Sequence, residues 1–241
     1  MSIMCAVFVP DGIVLASDSR QTLGFTQVAQ QPITQTETRV LNAMNRPDQK
    51  PMQLINQTDN AQKILLLKKV RVGISACGLG IIKGRPVSDY IRAFETEKVN
   101  VGDPVSSVAE KLHEYARELF PQINFFVCGY DGDEQFVYSV GKEIKRSNIE
   151  NGKPRYASIW SGEQAIITKL LNGNPPMLVN QLFMPLRDAV DFAEFLIDTT
   201  VKAQRFEMKV ATCGGATDIL VLSMDEAFWY RHKIYNPQKD R

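Results

Sequence analysis

The opening of the chain restricts its fold more than any other segment. Ile3-Met4-Cys5-Ala6-Val7-Phe8-Val9 is followed by Pro10-Asp11-Gly12 and then by Ile13-Val14-Leu15-Ala16-Ser17. Two apolar, β-prone runs flank an Asp-Gly dipeptide, the combination that favours a tight hairpin. Neither run alternates apolar with polar residues. A strand without a polar face needs cover on both sides, so this hairpin is expected inside the protein.

The remaining elements follow from period and punctuation. Lys63 to Leu67 and Val70 to Ala76 read as a second hairpin turning at Lys68-Lys69, and Ile123 to Tyr130 with Gln135 to Val140 as a third around Asp131-Gly132-Asp133. Residues 86–98 and 104–119 carry helical spacing, with Val105, Val108, Leu112, Tyr115 and Leu119 at steps of three or four. Tyr156 to Trp160 reads as a short strand. Residues 162–172 and 186–204 read as helices, the second with Leu186, Val190, Phe192, Ala193, Leu196 and Ile197 on its apolar face. Strands at 208–212 and 217–223 are expected to close the pattern, with a polar surface tail at 231–241. Strand runs and helix runs are segregated, which argues for α+β and against a doubly wound parallel sheet. Two antiparallel sheets, each covered by a helix pair, would make a four-layer αββα sandwich.

Residues 25–62 break this order. They are rich in Gln, Thr and Asn, contain Pro32, Pro47 and Pro51, and show no sustained period. A stretch this long is not a plain connection; it reads as a loop inserted into a single domain spanning 1–241.

Composition narrows the functional classes. The 28 Lys+Arg and 27 Asp+Glu leave a net charge of +1, so no global field recruits nucleic acid or an acidic membrane surface. No run of 18 apolar residues and no basic, then apolar leader is present, so neither a membrane span nor a secretory signal is expected. His113 and His232 are the only histidines, too few for a multi-histidine metal site, and neither sits in a triad context. Cys5, Cys77, Cys128 and Cys213 form no CxxC pair. The expectation is a reduced, cytoplasmic protein with no cofactor or metal, its cysteines buried as small hydrophobes.

Four features could carry chemistry, and each has a plainer alternative. Ser2 becomes the first residue if Met1 is trimmed. A free α-amine, with a pKa near about 8, can then take the proton from its own hydroxyl, although serine at position 2 is common. Ser17-Asp18-Ser19-Arg20 would place Asp18 and Arg20 on one strand face, which suits a structural ion pair equally well. Lys63 opens an apolar strand; its charge could lower a nucleophile's pKa, or it could simply guard a strand edge. Cys77-Gly78-Leu79-Gly80, Trp160-Ser161-Gly162 and Cys213-Gly214-Gly215 could offer backbone N–H groups to an oxyanion, or could be ordinary turns. The Gly78-Leu79-Gly80 run satisfies no phosphate-loop or dinucleotide pattern.

Together these residues resemble one family. Asp11-Gly12-Ile13-Val14-Leu15-Ala16-Ser17-Asp18-Ser19-Arg20-Gln21-Thr22-Leu23-Gly24 is similar to the opening of proteasome β-type subunits, whose pattern is Asp-Gly, Val-Val-Leu-Ala-Ala-Asp-Ser-Arg, then x-Thr-x-Gly. The family spacing counted back from this motif puts the N-terminal nucleophile on Ser2, with no propeptide beyond Met1, a trait of the bacterial Anbu-like relatives. Lys63-Ile64, Val72-Gly73-Ile74-Ser75-Ala76, Cys128-Gly129-Tyr130-Asp131-Gly132, Trp160-Ser161-Gly162 and Cys213-Gly214-Gly215-Ala216-Thr217-Asp218-Ile219 continue the likeness. It covers nearly the whole chain except 25–62, an insertion of about 29 residues against the usual spacing.

The resemblance implies an N-terminal-nucleophile αββα sandwich that hydrolyses amide bonds of peptides or unfolded proteins in a homo-oligomeric ring or open ring. It admits an ATP-dependent unfoldase as a partner. Carried over by position, Ser2 is nucleophile and, through its amine, base. Lys63 lowers the nucleophile's pKa, Asp18 orients that lysine, and Ser161 bonds the amine. The oxyanion N–H falls on Cys77, with Gly78 the alternative. Three positions depart from the family: serine replaces the usual threonine, Val210 holds the place of a late aspartate, and Cys213 that of a nearby serine. A non-catalytic ring subunit of the same fold, or an acyl transferase or peptide ligase using the same site, are the other functions compatible with these residues.

Overall fold

The computed structural model describes residues 2–26 and 53–233. Its first hairpin is the expected one: β1 (Ile3–Val9) pairs antiparallel with β2 (Gly12–Ser17), with Val9 opposite Gly12. Every residue of both strands is buried, as the absence of a polar face requires. The following strands are β3 (Gln21–Thr26), β4 (Gln53–Thr58), β5 (Ile64–Leu67), β6 (Val72–Gly78), β7 (Ile81–Ile82) and β8 (Arg85–Pro86). Helices α1 (Val87–Lys98) and α2 (Val105–Tyr115) come next, then β9 (Ile123–Asp131), β10 (Glu134–Val140) and β11 (Ile144–Arg146). The short β12 (Ile149–Glu150) and β13 (Lys153–Pro154) precede β14 (Ala157–Gly162), α3 (Ala165–Asn172) and α4 (Leu186–Gln204). β15 (Asp218–Leu222) and β16 (Ala227–Arg231) end the described chain.

The fold is α+β. Ten strands form two antiparallel five-stranded sheets, ordered β14-β1-β2-β15-β16 and β11-β10-β9-β6-β5. Period-2 alternation divides the central strands between two apolar clusters. Ile3, Cys5 and Val7 of β1 pack with Val14, Ile219 and Val221 and with Ala193, Leu196 and Ile197 of α4. Met4, Ala6 and Phe8 point the other way and share a cluster with Ile64, Phe126 and Cys128 of the second sheet. On that sheet Leu65, Ile74, Phe125 and Val127 pack instead against Ile91 and Phe94 of α1 and Val108 and Leu112 of α2. Full burial of each such aliphatic or aromatic side chain contributes about 1.5–3 kcal/mol. All four cysteines are free and buried within this apolar interior. No helix among the described residues is long and apolar enough to cross a membrane.

The chain divides into two compact units, Met1–Gln21 with Thr58–Arg241, and Thr22–Gln57. The second contains most of the segment read from sequence as an inserted loop. Its two ends are strands, β3 and β4, which pair with each other; the stretch between them lies outside the described residues.

Two expectations near the C-terminus are corrected. Residues 208–212 form no strand, and 205–217 contain neither helix nor strand. The backbone donors there go to side chains rather than a ladder: Thr212 and Cys213 N–H donate to Gln204 Oε1 at 3.0 and 2.9 Å, and Gly214 N–H donates to Asp18 Oδ2 at 3.0 Å. The polar tail expected from 231 begins later, because Arg231 closes β16 at the edge of the first sheet; residues 234–241 lie outside the described residues.

Candidate active site

The register brings four strand ends together. Ile3 at the start of β1 lies opposite Gly162 at the end of β14, and Ser17 at the end of β2 lies opposite both Met4 and Asp218, where β15 begins. Backbone N–H groups that leave the ladders here need other acceptors. One carboxylate collects them. Asp18 is fully buried; its Oδ1 accepts Ile3 N–H at 3.0 Å and its Oδ2 accepts Arg20 N–H at 3.1 Å and Gly214 N–H at 3.0 Å. Lys63 Nζ donates to the same Oδ1 at 2.6 Å, and that lysine is itself only 4% exposed. A buried carboxylate thus holds both a buried ammonium and the N–H of Ile3, the residue after Ser2, which is itself buried.

Ser2 is fixed through its carbonyl, which accepts Glu163 N–H at 2.8 Å. Gly162 makes this approach possible: its φ is +103°, and a Cβ there would sit 1.9 Å from the Ser2 carbonyl oxygen. Ser161, opposite Met4 in the β14–β1 register, has its hydroxyl 3.2 Å from the Cys77 thiol, which donates to it. Burial pushes the Cys77 thiol above its usual pKa, so it is a neutral donor.

Strand alternation decides which backbone N–H near Cys77 faces the site. Ala76 N–H donates to Lys63 O at 2.9 Å, so it points toward the chain entering β5. Cys77, one residue on, lies opposite Asn124 and directs its N–H toward β9, and Leu79 N–H likewise reaches Gln122 O at 3.2 Å. Gly78 N–H faces the Lys63 side, beyond the Ile64–Ser75 pair where the β5 register ends. Gly78 has φ +117°, and a Cβ there would lie 2.1 Å from Gln122 O.

Arg20 differs from the sequence reading. β2 ends at Ser17, so Asp18 and Arg20 do not share a strand face. Its guanidinium forks onto Asp59 at 2.7 and 2.8 Å, raising its own pKa and holding the Asp59 carboxyl below the usual carboxylate range. The guanidinium also packs over Gly214, where a Cβ would lie 2.5 Å from Arg20 Cζ. The Cys213-Gly214-Gly215 turn is therefore glycine-bearing for close approach, and Gly215 also has φ +75°.

Asp18 and Lys63 contact each other and the Ile3 N–H, Ser161 contacts Cys77, and Ser2 is held by the Glu163 N–H, all where β1 begins and β2 and β14 end. Val210 is half exposed and takes no part in these contacts, whereas Cys213 is buried, with its thiol pushed up to about 12 by that burial. Sequence reasoning missed Gln204, which anchors Thr212 and Cys213, and Glu163, whose Oε1 accepts the Thr212 hydroxyl at 3.3 Å. It also missed His232, buried beside Gln62, whose Nε2 lies 3.3 Å from the ring Nε2. The only sequence signal for Glu163 was its place directly after Ser161-Gly162. Among the described residues no group of three or more His, Cys, Asp or Glu side chains is placed to hold a metal ion. No family model matches the chain, and no curated protein matches it.

Proposed function

We propose that the protein is a proteasome β-subunit-like hydrolase with an N-terminal serine nucleophile, built as the four-layer αββα sandwich of that class. The observation carrying this reading is the placement of the Asp18–Lys63 pair: one carboxylate oxygen accepts both Lys63 Nζ at 2.6 Å and the N–H of Ile3, next to Ser2, at 3.0 Å. A structural ion pair has no need to grip the residue after a candidate nucleophile. The three apolar clusters, one joining the sheets and two beneath helices, support the layer order.

In the mature chain, with Met1 removed, the Ser2 α-amine takes the hydroxyl proton as Oγ attacks the substrate carbonyl. Lys63, held by Asp18, supplies positive charge that favours the developing alkoxide. The oxyanion receives the Gly78 N–H, the alternative in the sequence reading, because strand alternation turns the Cys77 N–H toward β9. The proton on the amine then passes to the leaving nitrogen, giving a Ser2 ester that water cleaves with the same amine as base. Ser161 holds the amine, with Cys77 donating to its hydroxyl.

The substrate class is peptides or unfolded protein, handled in a cytoplasmic homo-oligomer, with an ATP-dependent unfoldase as a partner and no cofactor. Intact mass of the protein expressed without an N-terminal tag tests the central step. Loss of one methionine together with peptide hydrolysis abolished by Ser2→Ala supports the reading. Retained Met1 refutes it and leaves a non-catalytic ring subunit as the better description; hydrolysis unaffected by Ser2→Ala refutes Ser2 as the nucleophile.

A further inference from the structure

The residue whose backbone holds the Ser2 carbonyl carries a second buried carboxylate. Glu163 follows Gly162 at the end of β14, its N–H donates to Ser2 O at 2.8 Å, and the residue is 9% exposed. Its carboxylate is not solvated like an ordinary glutamate. Oε1 accepts the Thr212 hydroxyl at 3.3 Å and Oε2 accepts Lys209 Nζ at 3.4 Å. Lys209 also reaches Glu207 Oε2 at 3.0 Å, and its side chain is 47% exposed. Glu163 thus joins Ser2 through its backbone, its carboxylate shares the surroundings of Cys213 with Asp18 and Lys63, and its counter-charge is half exposed on the irregular 205–217 segment.

We infer that Glu163 is a positioning residue for the Ser2 α-amine: its backbone N–H anchors the Ser2 carbonyl, and the charge of its side chain raises the basicity of the amine, an effect that Lys209 tempers. The inference rests on the proposed function, in which that amine is the general base.

The other groups around the amine are already committed. Asp18, at the end of β2, is occupied by Lys63 and three backbone donors. From β6 comes the Cys77 thiol, which donates to Ser161, and from the 205–217 segment the Cys213 thiol, both raised in pKa by burial and neutral at physiological pH. Glu207 faces the amine's surroundings only through Lys209. Glu163 is thus the one carboxylate among these groups whose partners are a neutral hydroxyl and a half-exposed lysine, so its field is the least cancelled.

A carboxylate about 8 Å from an amine raises its pKa by roughly one unit at an effective dielectric constant of about 30. Lys209 offsets part of this. The test uses the mature full-length protein and two readouts: the pH dependence of kcat/KM on a peptide substrate, and the α-amine pKa from the pH dependence of its reductive methylation. Glu163→Gln should move both the acid limb and the amine pKa down by about half a unit to one unit. Lys209→Met, which frees the carboxylate, should move both up by a smaller amount. Glu163→Asp should restore part of the wild-type limb.

Opposite shifts from the two variants are the result expected. If both variants lower the rate equally at every pH and leave the amine pKa unmoved, Glu163 is merely structural and the inference is overturned. The amine pKa is also measured in a Ser2→Ala background, which keeps the amine and removes the nucleophile. A Glu163→Gln shift there, with no hydrolysis dependent on Ser2 in the parent, would refute the proposed function and its general base. An unmoved pKa with hydrolysis fully dependent on Ser2 would refute only this inference.

Discussion

The Asp18–Lys63 pair makes a prediction about stability that does not depend on any substrate. Both groups are buried, at 2.6 Å, and Asp18 also receives three backbone N–H groups. Breaking a buried pair by removing one partner costs about 3–5 kcal/mol, because the remaining charge stays in the interior. For Lys63→Met the cost is expected at the lower end, about 3 kcal/mol, since Ile3, Arg20 and Gly214 N–H still solvate the carboxylate. Asp18→Asn is worse. It strands the Lys63 ammonium, and the amide nitrogen faces backbone donors it cannot accept from, adding about 1–3 kcal/mol for each mispaired N–H. In the double variant no net charge is stranded, so its loss should fall short of the sum of the single losses by at least about 2 kcal/mol. Urea unfolding at neutral pH, with the slope checked for constancy across variants, measures all three. Single losses that add to within about 0.5 kcal/mol would show that the two charges are not coupled in the folded protein, and Asp18–Lys63 could not then be the ionic centre of the site.

Three further outcomes are expected. Ser17 Oγ has no hydrogen-bond partner among the described residues although it is buried, so Ser17→Ala should leave stability unchanged or raise it by about 1 kcal/mol, measured by thermal or urea unfolding; a clear loss would reveal a partner. Arg20 depresses the Asp59 pKa in the folded state, so this pair stabilises above the ordinary carboxylate pKa of about 4, and the contribution disappears as pH falls through the lower folded value. Asp59→Asn should therefore flatten the acid side of the stability–pH curve and leave its shape above about pH 5 unaltered; the same acid slope in both proteins would contradict this. Burial pushes the Cys5 and Cys213 thiols up to about 12 and raises Cys77 and Cys128 as well, so alkylation at about pH 8 should modify all four rapidly only after unfolding; fast labelling of native protein would show that the interior is open.

Legibility in the sequence followed how local the determining interaction was. The first hairpin was readable because two unbroken apolar runs around Asp-Gly admit few other structures, and both strands are buried throughout. Helix α4 spans the expected 186–204 because its apolar positions recur every three or four residues, and Val190, Ala193, Leu196 and Ile197 are indeed buried. The strand expected at 208–212 failed for the opposite reason. Met208 and Val210 alternate with Lys209 as a half-buried strand would, yet both apolar side chains are exposed. The decisive contacts, from Gln204 and Asp18, come from outside the window in which a period is judged. Arg20 failed similarly: its carboxylate partner is Asp59, reached by the fold rather than by strand spacing.

The same distinction explains why part of the site could be read and part could not. Asp18, Lys63 and Ser161 stand in short motifs whose order along the chain can be matched by eye. Glu163 and Gln204 stand in no motif, and their importance lies in which backbone they hold: the Ser2 carbonyl lies against one, the Thr212 and Cys213 amides against the other. Both act where regular pairing stops. Four strands end together at this point, so the backbone must be secured by side chains, and a buried carboxylate is the acceptor able to take several N–H groups at once. Burying that carboxylate in turn demands a cation, which Lys63 provides. The charge that secures the strand ends is therefore the charge the proposed Ser2 nucleophile would use. Under that proposal, substitutions of Asp18 or Lys63 mix folding with chemistry. Glu163 and Lys209, at the rim of the same cluster with one of them half exposed, offer the perturbation that can separate the two.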